Sequence, residues 1–200
     1  MTATLTDDLP QSPAPRKPRK FFLVVGVGLA VMLGIGLFTS VGTKPTGRPH
    51  QGGPVPSFTA KRLNGSGSVK VPSDGGSNGA PAVLLFFGNW CTVCHTELPQ
   101  LAAAVQRQSA LAGGLGKVRV IGVDSEDTVA NARGFIRSSG VEFPVAYDPD
   151  LAITSGDFYF DGDPYAVFVK GDGVISAIVA GPISVNKFTA EEEKLFSSQS

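Results

Sequence analysis

The only thiols in this 200-residue chain are Cys91 and Cys94, separated by Thr92-Val93. A C-x-x-C pair can support thiol–disulfide exchange or metal binding, and with His95 directly after it the run also spells the C-x-x-C-H attachment of a c-type haem. Zinc would need two further ligands, and no Cys or His cluster supplies them, the second histidine being the distant His50. A haem would need a second axial ligand, commonly Met or His, yet Met1 and Met32 both lie far upstream. A purely structural bridge between residues this close would restrict the unfolded chain very little. These counts favour exchange chemistry, with the cysteine pair itself as the redox centre and neither a metal nor a further cofactor.

The neighbouring residues support that reading. Ala82-Val83-Leu84-Leu85-Phe86-Phe87 is a continuous apolar run of the kind a strand buried on both faces requires. After Gly88-Asn89-Trp90, a helical pattern runs from Cys91 to about Ala112, with Leu98, Leu101 and Val105 on one side. Cys91 therefore opens a helix, where unpaired N–H groups and the macrodipole stabilise a thiolate, and it is the expected nucleophile. Cys94, one turn on, is placed to resolve a mixed disulfide. Trp90 would cover the sulfur pair. His95 could stabilise a Cys91 thiolate if protonated. Glu97 reads most simply as a charge in the first helical turns.

Around this motif the chain alternates. Ser57–Leu63 and Ser68–Val71 flank Asn64-Gly65-Ser66-Gly67 as a hairpin. Val118–Val123 reads as a second buried strand, Thr128–Ser138 as a helix and Phe143–Tyr147 as a short strand. Tyr165–Lys170 and Val174–Ala180 flank the turn Gly171-Asp172-Gly173, and Ser184–Phe196 closes as a helix. The expected fold class is α/β: a mixed central sheet with helices on both faces and an N-terminal β-hairpin.

Seventeen basic residues balance 17 acidic ones, which argues against a nucleic-acid partner. The balance is uneven along the chain. Arg16, Lys17, Arg19 and Lys20 precede an uncharged stretch, Phe21–Phe38, that would rise about 27 Å as a helix. The signal-peptide alternative has a shorter apolar core and an A-x-A site, and here only Ser40-Val41-Gly42 offers small residues at suitable spacing. The expected organisation is a disordered cytoplasmic tail over 1–20, a transmembrane signal-anchor helix over 21–42, a flexible tether over 43–54 and one domain over 55–200. Basic residues before the span favour a cytoplasmic N-terminus and an extracytoplasmic domain.

Residues 82–101, AVLLFFGNWCTVCHTELPQL, resemble the active-site segment of thioredoxin-like proteins of the membrane-anchored TlpA, ResA and DsbE group within the AhpC/TSA redoxins. The similarity continues through Glu97-Leu98-Pro99, Val120–Asp124 (VIGVD), Glu142-Phe143-Pro144-Val145 and Gly162-Asp163-Pro164. It implies a thioredoxin-like fold and a thiol–disulfide oxidoreductase. Pro164 would be a cis-proline facing the cysteines, and Asp163 would offer backbone groups to an extended substrate peptide. It also places Glu97 near the site, where it would tune proton transfer. Two departures stand out: Leu85 occupies the place of the buried Asp of thioredoxin, and Thr92-Val93 is not a common intervening pair.

The resemblance further implies reduction of disulfides in exported proteins, apocytochrome c among them, and a membrane electron donor that restores the dithiol. A disulfide-forming oxidase runs the same steps backwards, with a membrane acceptor. A peroxidase of the related kind would need a T-x-x-C pocket, and Gly88-Asn89-Trp90-Cys91 lacks the Thr. A peptide-binding module without redox turnover is the non-enzymatic alternative. Asp157, Asp161 and Asp163 would give the groove an acidic rim.

Overall fold

A computed structural model describes residues 47–72, 79–111 and 118–197. The expected tail and membrane span lie outside them, and among the described residues no helix is long and apolar enough to cross a membrane. A compact unit extends from Lys44 to Ser200.

Its elements are β1 (Phe58–Lys61), β2 (Ser68–Val71), β3 (Ala82–Phe87), α1 (Thr92–Leu111), β4 (Arg119–Ser125), α2 (Val129–Ser138), β5 (Val145–Asp148), a π-helical turn (Ala152–Asp157), β6 (Tyr165–Val169), β7 (Ile175–Ala180) and α3 (Val185–Ser197). The main sheet has the order β5-β4-β3-β6-β7, and β1 and β2 form a separate antiparallel pair. β3 runs parallel to β4 and antiparallel to β6. Phe87 is in register with Asp124, and Phe86 with Tyr165. The end of β3, the end of β4 and the start of β6 therefore meet at one edge, and that edge carries the chemistry.

Side chains alternate across β3, as a strand buried on both faces demands. Val83, Leu85 and Phe87 pack into one core with Leu98 and Leu101 of α1, Phe135 and Ile136 of α2, and Phe188 and Leu195 of α3. Leu84 and Phe86 point the other way, into a core with Val55, Phe58, Val69, Ile153, Phe158 and Phe160. Fully burying a Phe of this kind is worth about 1.5–3 kcal/mol.

Helices lie on both faces of the sheet, as expected, but unequally. All three α-helices pack on one face, and the hairpin, the six-residue π turn and the segment after it cover the other. The reason is topological. The crossovers β3-α1-β4 and β4-α2-β5 step in the same direction along the sheet, so a single handedness puts both helices on one side.

The hairpin is tied to the β5 edge. Leu63 N donates to Val145 O at 2.9 Å, Asn64 Nδ2 donates to Phe143 O at 2.7 Å, and Val145 N donates to Asn64 Oδ1 at 3.0 Å. The segment expected to be a tether reaches the domain before its predicted end. Gly52 N donates to Ile175 O and Ile175 N donates to Gly53 O, both at 2.8 Å, because these backbones complete the open edge of β7.

Candidate active site

Cys91 and Cys94 are joined as a disulfide, with Cα atoms 5.3 Å apart. Cys94 is 1% exposed and Cys91 5% exposed, so both are buried and the first is the less enclosed of the two. The turn before the helix is set by Cys91 N donating to Gly88 O at 3.1 Å. Cys94 N points at Cys91 Sγ from 3.2 Å, so a main-chain donor of the first helical turn is aimed at the sulfur that would carry charge.

The Asp163–Pro164 peptide bond is cis, as the resemblance implied, and Pro164 is buried. It turns the Asp163 carbonyl toward the disulfide, and Cys91 Sγ lies 3.7 Å from that oxygen. In the reduced protein a Cys91 thiol can donate there. Around the sulfurs, Trp90 is 47% exposed and Val93 44% exposed, an apolar margin beside a reactive pair. Trp90 is nonetheless pinned, with Nε1 donating to Ser125 O at 2.9 Å.

His95 does not sit on the cysteine sulfurs. Its Nε2 pairs with Asn89 O at 2.7 Å, and its ring lies 4.5 Å from that of Phe135. Glu97 is not a solvated surface charge either. It is half-buried and accepts a hydrogen bond from Ile183 N at 3.1 Å, holding α1 to the segment before α3. Burial pushes its carboxyl above the usual range, and the Ile183 N–H pulls it partly back. Glu97, Cys94, Leu85 and Pro164 line one small cavity of about 10 Å³, room for a single water centre. The glutamate thus shares a cavity with the more buried cysteine.

Several site residues are not evident from the sequence. Ser125 joins three strand ends: its carbonyl holds Trp90, and its hydroxyl donates to a carboxylate oxygen of Asp163 and lies 3.4 Å from Phe87 O. Asp127 Oδ2 accepts from Asn89 N at 2.5 Å, bracing the loop before the cysteines. Asp124 is completely buried, and neither of its carboxyl oxygens has a hydrogen-bond partner. Burial first, then the charges of Asp127 and Asp163, pushes it up to about 8. Asp163 is pushed up to about 6, mainly by burial, with the Ser125 bond opposing. The only signal in the sequence was an acid closing the apolar run of β4. Asp163 also leaves the expected acidic rim, since its side chain turns inward onto Ser125, while Asp161 accepts from Tyr165 OH at 2.9 Å. Among the described residues no group of three or more His, Cys, Asp or Glu could hold a metal ion.

A cysteine pair at a helix N-terminus, opposite a cis-proline at the edge of a mixed sheet, defines a thioredoxin-like thiol–disulfide oxidoreductase. The AhpC/TSA family profile matches residues 51–177, and the chain belongs to that family. It is 23% identical to the thiol-disulfide oxidoreductase ResA of Bacillus subtilis (strain 168), over 84% of this chain and 89% of that protein. It is 28% identical to the thiol:disulfide interchange protein DsbE of Xylella fastidiosa (strain 9a5c), over 79% of each. Among solved structures, Mycobacterium tuberculosis (MTB) dsbF, in mixed oxidized and reduced forms, superposes with a TM-score of 0.57 at 27% identity, covering 69% of this chain and 94% of that one.

Proposed function

We propose that this protein is a membrane-tethered, extracytoplasmic reductant of disulfides in exported proteins, apocytochrome c among them. The observation that carries the redox role is Cys91 Sγ facing the Asp163 carbonyl beside cis-Pro164, with Cys94 behind it. In the reduced protein the Cys91 thiolate attacks a substrate disulfide. A Cys91–substrate S–S bond forms, the substrate bond breaks, and the departing sulfur takes a proton. Cys94 then loses its proton and attacks Cys91 Sγ, releasing the second substrate sulfur as a thiol and leaving the Cys91–Cys94 disulfide. Two electrons and two protons pass to the substrate. A membrane donor restores the dithiol, because an extracytoplasmic compartment holds no thiol reductant pool.

An extended substrate segment fits beside Pro164, pairing with main-chain groups at Asp163 while Trp90 and Val93 contact its side chains. The anchoring part of the reading rests on the uncharged stretch Phe21–Phe38 and the basic residues before it. The oxidase reading also has an observation in its favour, the Cys94 N–H aimed at Cys91 Sγ, since a stabilised thiolate favours the reduced form.

The reduction potential of the full chain, equilibrated against glutathione, separates the two. A value near or below about −220 mV supports the reductant, whereas one near about −120 mV overturns it in favour of the oxidase. Fractionation checks the anchor: recovery in the membrane pellet after a high-salt wash supports it, and release into the soluble fraction removes it.

A further inference from the structure

Ser125, the last residue of β4, is completely buried at the edge of the sheet that carries the cysteines. It stands in register with Asp148 of β5, and its polar contacts reach across to the residues after β3 and before β6. Its carbonyl accepts from Trp90 Nε1 at 2.9 Å, so its own main chain is a fixed base. Its hydroxyl donates to Oδ2 of Asp163 and lies 3.4 Å from Phe87 O. A serine hydroxyl has one proton to give, and a carboxylate is a stronger acceptor than a main-chain carbonyl, so the proton belongs to Asp163.

The segment around Asp163 is fastened on either side of it. Asp161 accepts from Tyr165 OH at 2.9 Å, and Pro164 O accepts from Gly181 N at 2.9 Å, just past β7. Asp163 itself presents its carbonyl to Cys91 Sγ, 3.7 Å away, while its carboxyl turns onto Ser125. That carboxyl has a single hold: Oδ2 takes the Ser125 bond, and Oδ1 is buried without a hydrogen-bond partner. A buried carboxyl stripped of its one bond is driven toward water, because leaving it unsatisfied costs its full desolvation. A short side chain links carboxyl to main chain, so its departure shifts the peptide group that faces the sulfur.

We propose that Ser125 is a positioning residue for thiol–disulfide exchange, its hydroxyl holding the Asp163 main chain in the place where a polypeptide substrate pairs with it beside Cys91. This deepens the proposed function and rests on its reading that an extended segment lies beside Pro164. Ser125 is shut away from solvent, so it acts through Asp163 rather than on the sulfurs or the substrate. A polypeptide disulfide needs both Cys91 and a correctly placed Asp163 main chain. A disulfide that carries no main chain needs Cys91 alone. Ser125 therefore governs which disulfides are reduced well, and it does so without taking part in the sulfur chemistry.

The test compares two disulfides reduced by the full-length dithiol at neutral pH: an extended peptide carrying a disulfide, and hydroxyethyl disulfide, which has no main chain. A change in Cys91 itself falls on both alike, so the ratio of their kcat/KM values isolates the peptide contacts. Ser125→Ala lowers that ratio about threefold to tenfold, mainly through KM for the peptide, the scale of one positioned hydrogen bond. Asp163→Ala lowers it by a similar factor. Asp163→Asn, whose side-chain oxygen still accepts from Ser125, recovers most of what Asp163→Ala loses. The Ser125→Ala/Asp163→Ala double variant falls no further than either single one, because the same bond has been cut from its two ends. A serine that served folding alone would lower the melting temperature and leave the ratio at its wild-type value, and that result overturns the proposal. A double variant whose loss is the product of the single losses overturns it too. Should Ser125→Ala not fold, the Asp163 variants decide: equal ratios for Asp163→Ala and Asp163→Asn overturn it. A wild-type dithiol with no preference for the peptide is a different failure, read before any variant is compared; it overturns the substrate reading and takes the proposal with it.

Discussion

Trp90 Nε1 donates to Ser125 O at 2.9 Å, which ties the residue before the first cysteine to the end of the neighbouring strand. The contact depends on Gly88. A Cβ there would collide with the Trp90 indole and lie 2.9 Å from Ser125 O. Gly88→Ala should dislodge the indole and cost about 1–3 kcal/mol through overpacking. Trp90 is the single tryptophan of the chain, so its fluorescence reports the site directly. The wild-type emission should change on reduction of the disulfide, and Gly88→Ala should shift the emission maximum in both redox states. Unaltered spectra and melting would show that the indole is not held this way.

Replacing either cysteine separates the two roles. Cys91→Ser should abolish reduction of a disulfide substrate, since Cys94 is the more enclosed of the two. Cys94→Ser should retain attack but halt at the mixed disulfide, visible as a covalent adduct on a non-reducing gel. An adduct with Cys91→Ser and none with Cys94→Ser would reverse the assignment.

Glu97 and Cys94 line the same small cavity, and the Glu97 carboxyl is raised by burial. It is therefore suited to take the Cys94 proton when the mixed disulfide is resolved. Glu97→Gln keeps an acceptor for Ile183 N and removes the base. Resolution should slow by about a hundredfold or more, the usual contribution of a positioned base, with little change in the initial attack. Stopped-flow kinetics of the two phases would show whether the loss falls on the second.

The buried acids also set how stability depends on pH. Asp124, Asp163 and Glu192 are raised to about 8, about 6 and about 7, each mainly by burial. The folded protein then binds more protons than the unfolded chain between the ordinary carboxyl range and these values. The stability they contribute is complete below about pH 4 and is lost as pH rises toward 8. Glu191, lowered first by its Lys187 and Lys194 hydrogen bonds, works in the opposite sense and loses its contribution as pH falls below the usual carboxyl range. Melting temperature of the oxidised protein should therefore decline between pH 6 and pH 8.5, about neutral to alkaline, and Glu192→Gln should flatten part of that decline. A melting temperature that rises over that range would contradict the burial of these groups.

Asn64 offers a test of the fold that leaves the chemistry alone. Its amide both donates to Phe143 O and accepts from Val145 N. Asn64→Ala would leave two main-chain groups short of a partner, costing about 1–3 kcal/mol in chemical denaturation. The Cys91–Cys94 reduction potential should stay at its wild-type value.

Much of this protein was legible from local pattern. The apolar run Ala82–Phe87 reads as a strand buried on both faces, and the strand occupies those residues in the structure. Thr128 reads as the start of a helix, and its side chain caps α2 by accepting from Asn131 N. Cys91 and Cys94 were identifiable because a strand, a short turn and a helix follow each other in sequence, so the motif's surroundings are local. Pro164 was visible only through family resemblance, since nothing in a proline's own sequence context makes its bond cis.

Tertiary structure alone decided the rest, for one physical reason: burial and charge depend on residues that are distant in sequence. The π turn Ala152–Asp157 is held by Asp148, which accepts from Ile153 N and Thr154 N and from the Thr154 hydroxyl; those partners are near in sequence, but the burial of Asp148 comes from its place opposite Ser125 of β4. Glu97 looks like any helix-surface acid until Ile183, far along the chain, supplies its N–H. Asp124 ends an apolar run that gives no sign of which side its carboxyl faces. Only the pairing of β4 between β3 and β5, with Phe87 and Tyr147 in register on either side, closes it away from water.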